Sequence, residues 1–152
     1  FHMDARNGAQ YYAQDLLSDI LGRGKSSRLY HTLVQDKKLC ASIQSYVMGS
    51  TDPGMFVIEA KANQNTSLDD IESEIWKVIK ETRVQLKDDE VEKVKNQSET
   101  AIAVGELELL GRSMALAFSA NIGNPDLVNI EPEAIDKVSK SDIHQALDTI
   151  LL

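Results

Sequence analysis

Leu21 to Ser42, LGRGKSSRLYHTLVQDKKLCAS, is the stretch on which the fold turns. A helical run ends in Gly22 and Gly24, two residues free to take the positive φ that stops a helix. Ser26 or Ser27 is then placed to cap a second helix through Arg28, Leu29, Tyr30, Leu33 and Val34. The charged break Gln35, Asp36, Lys37, Lys38 leads into Ala41, Ile43, Ser45 and Val47, alternating with Ser42, Gln44, Tyr46 and Met48. A period of two is that of a strand, so the stretch reads helix, turn, helix, strand.

Working outward, Tyr12, Ala13, Leu16, Leu17, Ile20 and Leu21 recur at helical spacing and predict an amphipathic helix over residues 9–21. Downstream, Thr51-Asp52-Pro53-Gly54 places Pro and Gly at the central positions of a type II turn. Phe56, Ile58, Ala60 and Ala62 then alternate with Val57, Glu59 and Lys61, which closes an antiparallel hairpin with one face buried and one wet. Ser67 and Asp70 have capping-box spacing, and Leu68, Ile71, Ile75, Val78 and Ile79 form a stripe to about residue 85. Asp88, Asp89 and Glu90 open a further helix, where carboxylates suit the positive end of the dipole. It runs to about residue 120, with a weak point at Gly105 or Gly111, and Asn121 to Pro125 breaks it. A short helix over 133–138 precedes a last one capped by Ser139 and Asp142. The order implies an α+β domain, an antiparallel sheet covered on one face by helices. A lone hairpin is marginal in water, so a further strand is expected from sequence preceding Phe1, of which Phe1 to Met3 would be the tail. Residues 1–152 thus read as one domain of a longer chain, although His2 and Met3 also suit a cloning scar.

Apolar residues make up 42% and charged residues 26% of the chain, an ordinary globular balance. No run approaches the length of a membrane span. The net charge of −8, with acids spread throughout, argues against a nucleic-acid face. It serves solubility or attracts basic peptides. Cys40, the one cysteine, makes no internal disulfide and reads as core.

Candidate chemistry is sparse. Gly24-Lys25-Ser26 resembles the end of a phosphate loop, but Asp19 stands where the first glycine belongs and a helix precedes it in place of a strand. His2, His31 and His144 have no ligand partner at helical spacing apart from His31 with Gln35, a poor ligand. Neither H-E-x-x-H nor H-x-x-E-H occurs. Glu106 and Glu108, two apart, face different ways on a helix. Ser26 and Ser27 lack a His/Asp pattern. The residues describe a binding or assembly domain with no catalytic constellation.

From Tyr11 on, the chain resembles the C-terminal, non-metal domain of the pitrilysin/insulinase-type zinc peptidases, the group that includes mitochondrial processing peptidase. The resemblance is carried by DLLSDILGRGKSSRLYHTLV (Asp15 to Val34), Asp52-Pro53-Gly54-Met55-Phe56, Asp89 to Lys95, and Val138-Ser139-Lys140-Ser141-Asp142-Ile143. It implies the LuxS/processing-peptidase-like metallohydrolase fold and a peptidase of paired homologous domains closing around an unfolded peptide. It also implies that zinc sits on an H-x-x-E-H helix of an N-terminal domain, leaving no metal or other cofactor for this chain. In some members this domain adds an Arg and a Tyr that hold substrate; those positions fall on Val34 and Ala41, whose side chains cannot donate to a carbonyl or oxyanion. No catalytic, metal or substrate-binding residue is therefore expected. Gly22, Gly24, Ser27, Arg28 and Leu29 are expected to matter as architecture or interface, and Arg28, badly placed for the helix dipole, should have a carboxylate or carbonyl partner. The partners implied are the N-terminal zinc domain of the same chain, a homologous subunit or a second copy, and a peptide substrate, with no nucleic acid and no membrane span. The rival reading is a catalytically inactive structural homologue, as in the core subunits of the respiratory bc1 complex.

Overall fold

The computed structural model describes residues 1–152. Its elements are β1 (His2–Met3), α1 (Tyr11–Gly22), a short π-helical segment (Tyr30–Asp36), β2 (Cys40–Met48), β3 (Gly54–Ala62), α2 (Leu68–Gln85), α3 (Asp88–Leu107), α4 (Leu109–Asn121), α5 (Leu127–Asp136) and α6 (Lys140–Ile150). The three strands form an antiparallel sheet in the order β1-β3-β2. Residues 1–3 are part of it: Met3 pairs with Gly54 and is buried, and the Phe1 carbonyl accepts from the Phe56 N–H at 2.8 Å.

One sheet face carries Ile43, Ser45 and Phe56 inward, while Gln44, Tyr46, Met48, Met55 and Glu59 stay wet. Gln44 lies opposite Glu59 and donates to its carboxylate at 3.0 Å. Helix α1 crosses the inner face with Leu16, Leu17, Ile20 and Leu21 all buried. Ile79, Val94, Ile143 and Leu147 complete the same core from α2, α3 and α6. The helical stripe and the period-two strand thus meet across one apolar layer, the arrangement expected of an α+β domain.

Several expectations are corrected. Gly54 does not have a positive φ, which the second central residue of a type II turn requires; it is the first residue of β3, paired with Met3. The long helix is two: it breaks at Glu108, whose φ −92° and ψ 126° are extended, between the two glycines and at neither. The helix read over 133–138 begins at Leu127, with Pro132 inside it. Proline removes one N–H from the ladder, and the buried Leu127, Val128 and Ile135 hold the helix on both sides of that gap. Ser67 accepts from the Asp69 N–H at 3.2 Å, without the reciprocal bond of a capping box, whereas Ser139 and Asp142 form the complete box.

Candidate functional site

Gly22 and Gly24 act differently. Only Gly24 has a positive φ, +78°, and a Cβ there would meet open space. Gly22 is the last residue of α1, and a Cβ on it would lie 2.0 Å from the Ser45 backbone nitrogen and 2.7 Å from the Gln44 carbonyl carbon. Its role is close approach: without a side chain, α1 lands on the backbone of β2. Ser27 does not cap by accepting from the following turn; its hydroxyl donates back to the Gly24 carbonyl at 2.7 Å, locking the glycine turn. Leu29 is fully buried in the core.

Arg28 reaches across to the start of α3. Nε donates to Glu90 Oε1 at 2.8 Å and Nη2 to Oε2 at 2.6 Å, a bidentate pair, and Nη2 also donates to the Gln85 carbonyl at 2.9 Å. Burial pushes the Glu90 carboxyl up, but bonds from Arg28 and the Lys87 N–H outweigh it and hold the group below the usual range. Lys93 adds a second tie, donating to Ser26 Oγ at 2.7 Å. The Leu21 to Ser42 stretch is thereby fixed to the sheet by Gly22 and to α3 by Arg28.

Val34 is half-buried against the core, and Ala41 is exposed where β2 shifts register between Cys40 and Ser42. Neither brings a polar side chain to this strand end. The π-helical winding, closed by the Lys37 N–H on the Thr32 carbonyl at 2.9 Å, places His31 Nδ1 3.1 Å from Asp36 Oδ2. That replaces the Gln35 pairing expected of an α-helix, because the partner lies five residues on instead of four. Both side chains are exposed, and His2 lies in β1. His144 Nδ1 is buried without a hydrogen-bond partner. No group of three or more His, Cys, Asp or Glu side chains converges to hold a metal, and no helix is long and apolar enough to cross a membrane.

A polar cluster that the sequence reading missed lies at the other end of α1. Arg6 pairs with Glu131 of α5 and its guanidinium sits 4.6 Å from the Tyr11 ring centroid and 5.4 Å from that of Tyr12. Burial pushes the Tyr12 phenol up to about 12 and the Asp15 carboxyl up to about 6, with Asp19 adding to the latter. Its members are scattered over 125 positions of sequence, and no local pattern announces them.

Helix α4 stands apart. Gly111, Ala115 and Ser119, one narrow stripe, turn toward the body of the domain, and the partly exposed Phe118 borders the same cleft beside Arg6, Val128 and Glu131. Leu109, Leu110, Met114, Leu116 and Phe118 are exposed, joined by Val104 and Leu107 at the end of α3. The run LLGRSMALAF, with Arg112 its one charge, was the available signal: a helix apolar nearly all round is normally covered.

The strands, the Gly22 contact and the Arg28–Glu90 pair together define an α+β domain in which helices pack on a three-stranded antiparallel sheet. Residues 1–98 match the model of the Peptidase M16 inactive domain, and the chain belongs to that family. It is 30% identical over 135 residues to an uncharacterized zinc protease of Streptomyces coelicolor, covering 87% of this chain and 28% of that protein. Among solved structures it is similar to an inactive peptidase domain from Bordetella parapertussis, with a TM-score of 0.91 at 21% identity, over 100% of this chain and 81% of that one. It is also similar to a chain of complex III from Candida albicans, with a TM-score of 0.83 at 20% identity, over 97% of this chain and 38% of that one. The chain thus spans under a third of the curated relative's length.

Proposed function

We propose that this chain is the accessory second domain of a zinc endopeptidase, shaping the substrate chamber and a domain or subunit interface while contributing no catalytic group of its own. In this reading residues 1–152 are one domain of a longer polypeptide whose N-terminal domain carries the zinc. The observation that carries it is α4, whose large apolar side chains stand in water while its small ones face the domain. An apolar surface of that extent marks a contact with protein. Val34 and Ala41 support the second half of the reading, since neither side chain can hold a substrate carbonyl. A partner subunit would then supply the donors.

The test compares zinc content and hydrolysis of an unstructured peptide for this chain, for the longer polypeptide, and for that polypeptide mixed with its neighbouring homologue. Zinc and cleavage in the longer protein or the mixture, and not in this chain alone, support the reading. A longer protein that neither binds zinc nor cuts with its partner favours the alternative, a structural homologue, which the similarity to a complex III chain keeps in play. Zinc or cleavage in this chain alone would contradict both.

A further inference from the structure

We infer that the cleft between α3, α4 and α5 is a binding site for an organic cation, an ammonium or guanidinium group carried on a short apolar stem. The inference does not rest on the interface reading above. Small residues create the space: Gly111, Ala115 and Ser119 recur at every fourth position of α4 and border a cavity of about 200 Å³. A cavity of roughly 150 Å³ already accepts a benzene-sized molecule. The walls are apolar, with Ile102 from α3, Val128 from α5 and the Phe118 ring from α4. Two polar groups that line it have no partner within the chain. Ser119 is 4% exposed, yet its hydroxyl does not donate to the preceding turn, as Ser113 does to the Leu109 carbonyl at 2.7 Å, and makes no other hydrogen bond. A buried hydroxyl left unpaired costs free energy that a bound partner recovers. Glu106, one turn after Ile102, is half-buried where the other residues from Ala103 to Leu107 are exposed, and its carboxylate lines the cleft without an ion pair.

Charge decides the sign of the ligand. The cleft is lined by one guanidinium, Arg6, and two carboxylates, Glu106 and Glu131. Arg6 is paired with Glu131 and lies against the Tyr11 and Tyr12 rings, so the charge left over is the negative one of Glu106. An entering anion would compete with Glu131 for Arg6 and be repelled by Glu106. A cation meets Glu106, the Ser119 oxygen and the Phe118 ring, and each of the three attracts it. The chain as a whole, at a net −8, adds a field of the same sign. The apolar walls then call for a stem of carbon rather than a bare ion.

The test is a titration of the 152-residue chain with n-pentylamine at neutral pH and low salt, followed by amide proton–nitrogen correlation spectra. Shifts at Ile102, Glu106, Ser119 and Val128 are expected, saturating with a dissociation constant on the order of 1 mM for so small a ligand. 1-Pentanol and pentanoate, of the same length, should bind about 10-fold more weakly or not at all. Glu106→Gln should weaken pentylamine about 10-fold and Ser119→Ala about 3-fold, with the rest of each spectrum unchanged. Equal affinity for amine and alcohol would reveal a merely apolar cavity, and tighter binding of pentanoate an anion site at Arg6; either overturns the proposal. So does indifference to both substitutions, or the absence of saturable shifts at these residues. A blocked alanine pentapeptide with lysine at its centre, compared with its norleucine counterpart, separates the sources of the cation. Binding of the lysine peptide alone assigns the site to a basic side chain of a polypeptide, and binding of the free amine without either peptide assigns it to a small molecule; both results support a cation site.

Discussion

Gly22→Ala isolates the contact that seats α1 on the sheet. The new Cβ would stand 2.0 Å from the Ser45 nitrogen, 2.5 Å from its Cβ and 2.7 Å from the Gln44 carbonyl carbon. Two of the three are backbone atoms in a paired strand, so nothing flexible can turn aside. Ordinary contact requires about 3.5 Å, so α1 must retreat by about 1.5 Å. The retreat opens the layer formed by Leu17, Leu21 and Ile43, each at most 4% exposed. Overpacking on that scale costs about 1–3 kcal/mol, and the loosened layer adds a cavity term. Alanine returns up to about 1 kcal/mol through helix propensity, less at a terminal residue. The net expectation is a loss of about 2–4 kcal/mol, a large share of a typical 5–15 kcal/mol. Urea unfolding followed by far-UV circular dichroism measures it, with Gly24→Ala as the control. At Gly24 the space is open and only the positive φ is strained, so about 1 kcal/mol is expected there. A neutral or stabilising Gly22→Ala, or a larger loss at Gly24, would refute the argument from close approach.

Other perturbations have signs that follow from the structure. Arg28→Ala leaves Glu90 without its bidentate partner and frees the Gln85 carbonyl; a loss of about 2 kcal/mol is expected in urea unfolding, with a double-mutant cycle against Glu90→Gln showing coupling of about 1 kcal/mol or more. Lys38 has φ +53°, so Lys38→Gly should raise the thermal midpoint by a few degrees, a gain of about 0.5–1 kcal/mol. Asp15 titrates at about 6 when folded against an ordinary 3.8, so the folded state binds the extra proton and stability falls as pH rises from about 4 to 6. Asp15→Asn should therefore be worth about 2–3 kcal/mol more at pH 7 than at pH 3.5, read from paired urea titrations; an equal effect at both values would exclude burial of the charge as the cause.

Where local periodicity and the tertiary environment agree, the sequence sufficed. The stripe of α1, that of α2 apart from the exposed Leu68 at its start, the alternation from Ile43 to Met48 and the Ser139/Asp142 box report a face or a terminus that neighbours then use. What escaped depends on distance or on winding. Nothing around Gly22 says that a strand backbone will arrive 2.0 Å from its missing Cβ. The π-helical turn differs from an α-helix by a single residue in its hydrogen bonds, too little to alter an apolar pattern over seven residues. Arg6, Tyr12 and Glu131 become one cluster only after α5 folds back over α1. Helix α4 was legible as a helix, but its exposure was not, because an apolar run carries no mark of whether its cover lies within the same domain.

In the Leu21 to Ser42 stretch the fold constrains some residues and leaves others free. Gly22, Arg28 and Leu29 are constrained by the domain itself: one admits a backbone, one bridges to α3, and one fills the core at 0% exposure. Changing any of them disturbs packing whatever the protein does. Val34 and Ala41 lie under no such constraint. One is half-buried at the margin of the core and the other projects from a bulged strand end, so side chains there can change at small cost to the fold. On the proposed reading the function of this chain lies at its surfaces, where α4 exposes Leu109, Leu110 and Met114.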